Sequence, residues 1–206
     1  MKIATLFFIA LFTISSFGFA QTVTIGTQTW TTKNLDVATF RNGDAIPQAK
    51  TDEEWEAAVE NEQPAWCYYE NDIKNGTKYG KLYNWYAVND ARGLAPVGYH
   101  IPTDTEWTKL SDYLGGEDSA GEKMKSLSGW LNNGNGTNSS GFSGLPGGYR
   151  GYDGYFYDVG YAGYWWSASE DGESGAWFRE LGNGNSDLFR DGNYKYFGLS
   201  VRCVRD

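Results

Sequence analysis

The sequence predicts an α+β fold, and three observations carry that reading. The segment Thr-Asp-x-Glu-Trp occurs twice, at 51–55 and 103–107, each time opening an apolar pattern of helical period. An alternating stretch around Gly26 reads as a short hairpin. From Tyr149 onward the chain consists of brief aromatic and β-branched runs broken by Gly, Asn and Asp, the pattern of short strands with long connections.

Taken in order, the first segment is an address. Lys2 precedes the apolar run Ile3–Phe12, and Gly18-Phe19-Ala20 closes the stretch, so residues 1–20 read as a secretory signal peptide cleaved after Ala20. No later apolar run reaches the roughly 20 residues that a membrane span needs. Residues 21–206 then form a single domain, expected in the periplasm, at the cell surface or outside the cell. Val23 to Trp30 supplies the hairpin. At 51, Thr51 is placed to accept from the first-turn amides while Glu54 reaches back, and Trp55, Ala58 and Val59 follow on one face. Leu82 to Val88 reads as a short helix, with a strand as the alternative. The second cap, behind Pro102, leads into Leu110, Tyr113 and Leu114, and Gly115-Gly116 stops that helix. Residues 132–141 are loop chemistry throughout.

Composition narrows the function classes. With 17 Lys and Arg against 26 Asp and Glu, the net charge of −9 argues against a nucleic-acid partner, whose phosphates need a basic face. An aromatic content of 17% against 21% charged excludes a disordered tail. One His and two Cys leave too few ligands for most zinc sites. Export permits a disulfide between Cys67 and Cys203, and closing so long a loop would contribute roughly 3–5 kcal/mol. The alternative is two separate buried thiols.

Several motifs in order carry a resemblance. Ile25–Trp30 with Lys33-Asn34-Leu35, Tyr79–Ala87, Gly98–Trp107, Gly141-Phe142 through Pro146–Arg150, and Ser200–Val204 resemble the Fibrobacter succinogenes major paralogous domain over roughly residues 22–206. The resemblance implies a secreted or surface protein of unassigned biochemical role. Ala95 stands where many members have Cys, and Tyr99 where Trp is usual. Pro102–Trp107 and Gly198–Arg205 are more distantly similar to the formylglycine-generating, sulfatase-modifying enzymes. That likeness implies a C-type-lectin-like fold: two capped helices, a small twisted antiparallel sheet joining the chain ends, and long irregular loops. Those enzymes use two nearby Cys close to the C-terminus to bind copper; here that region holds only Cys203.

Residue chemistry favours binding over catalysis. His100 is the one imidazole, sits just before a helix cap and reads as structural, with no nucleophile-elbow pattern anywhere. The Gly-rich stretches lack the Lys-Ser/Thr that a phosphate cradle needs. Residues 149–166, by contrast, hold nine aromatics and four Gly. Rings on such a segment can stack on sugar faces or anchor a protein, with Asp153 and Asp158 supplying hydrogen bonds. Tyr149, Phe156, Trp166 and Trp177 are expected inside, and Tyr152, Tyr155, Tyr157 and Tyr164 on a recognition face. Asp153, Asp158, Asp187 and Asp191 with the Asn-rich loops form a candidate oxygen cage for calcium, without the twelve-residue calcium-loop spacing; no other cofactor is expected. The expected function is a secreted, non-catalytic recognition or surface-associated domain for an extracellular glycan or surface protein. An enzyme on the same scaffold and a structural envelope component are the alternatives.

Overall fold

The structure, a computed structural model, describes residues 21–206; the leader expected over 1–20 lies outside the described residues. Strands β1 (Thr22–Ile25) and β2 (Gln28–Thr31) form the expected antiparallel hairpin, turning at Gly26 with φ +62°. Helix α1 (Asp52–Glu60) is capped by the Thr51 hydroxyl, which accepts from the Glu54 amide at 3.2 Å. The return half of that box differs from expectation: the Glu54 carboxylate takes the Lys50 amide at 2.6 Å, one residue earlier. Strand β3 (Trp66–Cys67), helix α2 (Ile73–Tyr79), strand β4 (Leu82–Tyr83) and helix α3 (Trp85–Val88) follow. The ambiguous 82–88 stretch therefore splits into a strand and a helix at Asn84, whose side chain caps the helix by accepting from the Ala87 amide.

After β5 (Tyr99–His100), helix α4 (Asp104–Tyr113) has the full reciprocal box. Thr103 Oγ1 accepts from the Glu106 amide at 3.2 Å, and the Glu106 carboxylate accepts from the Thr103 amide at 2.8 Å. Leu110 and Leu114 are buried as expected, but Tyr113 is exposed, lying against the turn at Gly26. Helix α5 (Glu117–Met124) starts directly after the Gly pair. The second half contributes β6 (Gly147–Arg150), β7 (Phe156–Val159), β8 (Ala162–Asp171), β9 (Gly175–Gly182), β10 (Phe189–Tyr194) and β11 (Val204–Arg205).

Helices α2 and α5 escape the sequence pattern for one reason. Each carries a glycine in its middle, which costs a helix about 1 kcal/mol relative to Ala. Tertiary packing demands both: a Cβ at Gly76 would stand 2.2 Å from the Tyr68 ring, and one at Gly121 would stand 2.1 Å from the Asp187 carbonyl oxygen.

The strands form three sheets: β1-β2-β11-β5, β10-β9-β8-β6-β7 and the pair β3-β4, with all ladders antiparallel except β6–β8. Residues 198–205 join them. Gly198 bridges Arg150, Leu199 bridges Tyr83, Ser200 bridges Trp165, and Val204 sits between Trp30 and His100. Trp165 and Trp166 point to opposite faces of β8, yet both are fully buried. Trp165 packs into a cluster with Trp30, Trp107 and Phe142, and Trp166 into one with Tyr83, Trp85 and Phe178. Of the four aromatics expected inside, only Trp166 is sealed; Tyr149, Phe156 and Trp177 are half-buried. Trp177 carries the Arg190 guanidinium 3.4 Å above its ring.

The expected Cys67–Cys203 bridge is not formed. Both thiols are free and buried, Cys203 in the hydrophobic cluster of Tyr83 and Val201 and Cys67 in that of Trp55 and Tyr69. Burial pushes each thiol up to about 12. Among the described residues the buried charged side chains are all cations: Lys81, Lys125, Arg150, Arg179 and Arg202. All five donate to backbone carbonyls, Lys81 to Asp36 at 3.1 Å and Arg179 to Phe178 and Asp104 among them. Arg202 donates to the carbonyls of Thr31, Phe142 and Ser143 at 2.7–3.1 Å and to Asn34 Oδ1 at 2.7 Å. Arg150 holds Ala49, Thr51 and Gly154, and Lys125 holds Gly182 and Asn185. Long loops leave carbonyls without ladder partners, and a buried polar group must be paired; these cations supply the donors. No described helix is long and apolar enough to cross a membrane.

Candidate recognition face

Side chains of alternate residues share one face of a strand, and the registers of the five-stranded sheet place one row across it. Tyr157 on β7 opposes Tyr149 on β6, Tyr164 on β8 opposes Glu180 on β9, and Glu180 opposes Phe189 on β10. The two halves of the row meet where the Tyr149 ring touches the Tyr164 ring edge-on, with centroids 5.0 Å apart. Tyr149 and Tyr157 are stacked at 5.2 Å and 26°. Phe189 and Tyr157, at the two ends of this row, are exposed, and Tyr149, Tyr164 and Glu180 between them are half-buried.

Two carboxylates fix the phenols. The Tyr157 hydroxyl donates to Asp153 Oδ2 at 2.6 Å, and the Tyr164 hydroxyl donates to Asp158 Oδ2 at 2.8 Å. The hydrogen bond to Asp153 pushes the Tyr157 phenol up to about 12. Burial, with Glu180 and Asp158 nearby, raises Tyr164 further still. Glu180 itself is raised by burial and by the charges of Asp158 and Asp191. Asp153 Oδ1 also accepts from the Tyr155 amide at 3.2 Å, turning the β6–β7 connection. Asp158 has φ +64°, directly beside Gly148 at +63°. A Cβ at Gly148 would lie 2.2 Å from the Tyr157 carbonyl oxygen, so the glycine permits the close approach of the two strands that sets the row.

A second limb leaves the row at Tyr149. Its ring lies 5.8 Å from Phe197, Phe197 stacks on Tyr196 at 5.5 Å and 21°, and Tyr196 stacks on Tyr194 at 5.0 Å and 10°. Tyr152, 62% exposed, meets Tyr196 and Phe197 edge-on at 6.0 and 6.4 Å. The result is a continuous track of rings from Tyr157 to Tyr194. Beyond Tyr194 the track opens on a cleft of about 300 Å³ lined by Asp171, Ser174, Gly175, Gly192, Asn193 and Tyr194.

Of the site residues expected from sequence, Tyr157 pairs with Asp153, Tyr164 with Asp158, and Tyr152 with the second limb. Tyr155 is 61% exposed, on the turn that Asp153 shapes. Tyr164 is half-buried rather than fully presented, because β6 and β9 flank it. Tyr194, Tyr196, Phe197, Glu180 and Phe189 were missed. The 194–197 run has its own sequence signal, Tyr-Lys-Tyr-Phe, but nothing local ties it to residues 149–157.

The catalytic alternatives gain one observation. His100 lies between two carboxylates, with Nδ1 2.9 Å from Asp206 and Nε2 2.7 Å from Glu106. Burial lowers its pKa, but the bonds to Asp206 and Glu106 outweigh that and raise it. Both ring nitrogens are engaged, and Glu106 also closes the α4 cap, so the cluster staples β5 to α4. A larger cavity of about 530 Å³ lies elsewhere, between residues 32–36, 76–80 and Ser143. Among the described residues no group of three or more His, Cys, Asp or Glu is placed to hold a metal ion.

A family model described as the Fibrobacter succinogenes major domain matches residues 23–205. No curated protein and no solved structure matches the chain.

Proposed function

The chain belongs to the Fibrobacter succinogenes major domain family, and on that premise we propose that it is an exported, non-catalytic recognition domain that binds an extracellular glycan along its aromatic track. The protein is then a single domain over 21–206, delivered beyond the cytoplasmic membrane by its leader, and its partners include neither nucleic acid nor a membrane span of its own. Its architecture is C-type-lectin-like: the β1-β2-β11-β5 sheet gathers the first and last strands, α1 and α4 are the two threonine-capped helices, and long connections carry the binding surface.

One observation carries the reading. Five rings run from Tyr157 through Tyr149, Phe197 and Tyr196 to Tyr194 at centroid steps of 5.0–5.8 Å, exposed at the two ends, Tyr157 and Tyr194, and half-buried between. Aromatic rings pair an apolar face with a polar tip, and pyranoses present apolar C–H faces rimmed by hydroxyls. The carboxylates of Asp153 and Asp158 sit beside the rings, where hydroxyls of a bound chain need acceptors. Acidic groups along the track favour a neutral chain over a polyanionic one.

The test is a broad glycan array probed with the protein, followed by titration of each hit. Tyr152→Ala and Tyr157→Ala are expected to weaken binding at least about tenfold, as loss of a central aromatic contact does. Binding that leaves both variants at wild-type affinity would remove the track from the interaction. An array without hits, combined with saturable binding to an envelope protein, would assign the surface to a protein partner instead.

A further inference from the structure

We propose that the cleft beyond Tyr194 is a terminal subsite that takes a single neutral hexopyranose, the end residue of the chain lying on the track; this rests on the glycan reading above. The cleft lies between the β8–β9 turn and the end of β10, and its volume of about 300 Å³ is at the lower end for small-ligand sites, room for one sugar ring rather than several.

Its lining has the chemistry for that ligand. Tyr194 is 52% exposed; its ring stacks on Tyr196 at 10°, which occupies one face and leaves the other for a ligand. Among the described residues the Asp171 carboxylate, the Ser174 hydroxyl and the Asn193 amide nitrogen make no side-chain hydrogen bond, so all three remain for a ligand. A carboxylate can accept from two adjacent sugar hydroxyls, while Ser and Asn can donate to ring or hydroxyl oxygens.

Glycines make the space. A Cβ at Gly192 would stand 1.8 Å from Asp171 Oδ2, so a residue with a side chain there would displace the carboxylate from its place against β10. A Cβ at Gly175 would stand 2.7 Å from the Asp171 carbonyl oxygen, which holds the turn close to the strand. Charge selects within the sugars. Asp171 adjoins Glu170 and lies two residues from Glu173, and the nearby cations are already paired, Arg190 with Asp104 at 2.9 Å and Lys195 with Glu170 at 2.8 Å. The cleft therefore favours a neutral residue over a uronate.

The experiment titrates the isotopically labelled protein with methyl glycosides of glucose, galactose, mannose and N-acetylglucosamine, with their linear oligomers, and with glucuronate. Amide shifts and affinities are read together. At least one neutral monosaccharide is expected to move the amides of Gly175, Gly192 and Asn193. Asp171→Asn is expected to weaken both that sugar and its oligomers about tenfold, since a charge-assisted hydrogen bond becomes a neutral one. Tyr152→Ala is expected to weaken only the oligomers. If oligomers bind and Tyr152→Ala weakens them while Asp171→Asn, Ser174→Ala and the cleft amides leave everything unchanged, the terminal subsite is refuted and the track stands. Glucuronate binding as tightly as the neutral sugars overturns the assigned ligand class. Silence in every series removes the subsite and the glycan reading together.

Discussion

Asp158 adopts φ +64° in the middle of a strand, a conformation that costs a non-glycine residue about 1 kcal/mol. Its hydrogen bond to the Tyr164 hydroxyl contributes a similar amount, about 1 kcal/mol. Replacing Asp158 with Gly removes both, so urea unfolding should place Asp158→Gly within about 1 kcal/mol of wild type, while ligand affinity falls because the Tyr164 phenol is no longer held. The two thiols make a second residue-scale case. Buried and raised to about 12, they should be unreactive towards a thiol reagent at neutral pH in the folded protein, with two thiols per chain appearing on unfolding. Reductant should leave the melting temperature unchanged, and a drop of several degrees would restore the disulfide that export suggested. His100 gives a pH signature. Its folded pKa is raised, so the stability it contributes is fully present below its unfolded value near 6.5 and is lost as pH rises through the folded one. The difference in melting temperature between wild type and His100→Gln should therefore be largest near pH 5.5 and shrink above pH 7.

At the scale of elements, the caps and the buried cations do different jobs. Thr103→Ala removes the hydroxyl half of the α4 box while the residue-103 amide still donates to Glu106, and should cost about 1 kcal/mol by chemical denaturation. Local grammar sufficed to place that cap, because every partner lies within three residues. Arg202 is the opposite case. Its partners come from residues 31, 34, 142 and 143, and no local rule connects them. Burial pushes it down to about 9, yet the guanidinium stays charged at neutral pH, and its fork spans four acceptors at once. Lys carries the charge without the fork, so Arg202→Lys should cost on the order of 3 kcal/mol through orphaned carbonyls. A loss under 1 kcal/mol would mean that water replaces the fork.

For the whole molecule, the decisive segment is the closing one. Residues 198–205 touch all three sheets, so deleting them should abolish cooperative unfolding rather than trim one edge, a result that near-ultraviolet circular dichroism would report directly. The same segment helps seal β8: Leu199 and Val201 join the cluster that covers Trp166, and Val204 the one that covers Trp165 on the opposite face. The recognition face depends on the same arrangement, since residues 194–197 reach Tyr149 and Tyr152 only after the chain has returned from β9 and β10.

Sequence alone determined the features whose partners are close in the chain: the hairpin at Gly26, the caps at Thr51 and Thr103, the stop at Gly115-Gly116, and a stretch of rings interleaved with Asp. These follow from short-range sterics and hydrogen bonds that any window of ten residues contains. Which rings are buried, which phenol meets which carboxylate, how Tyr194 and Tyr196 extend the track, and which carbonyls the buried cations hold were decided by tertiary structure. Burial belongs to a residue's spatial neighbours, and here those neighbours lie tens of positions away.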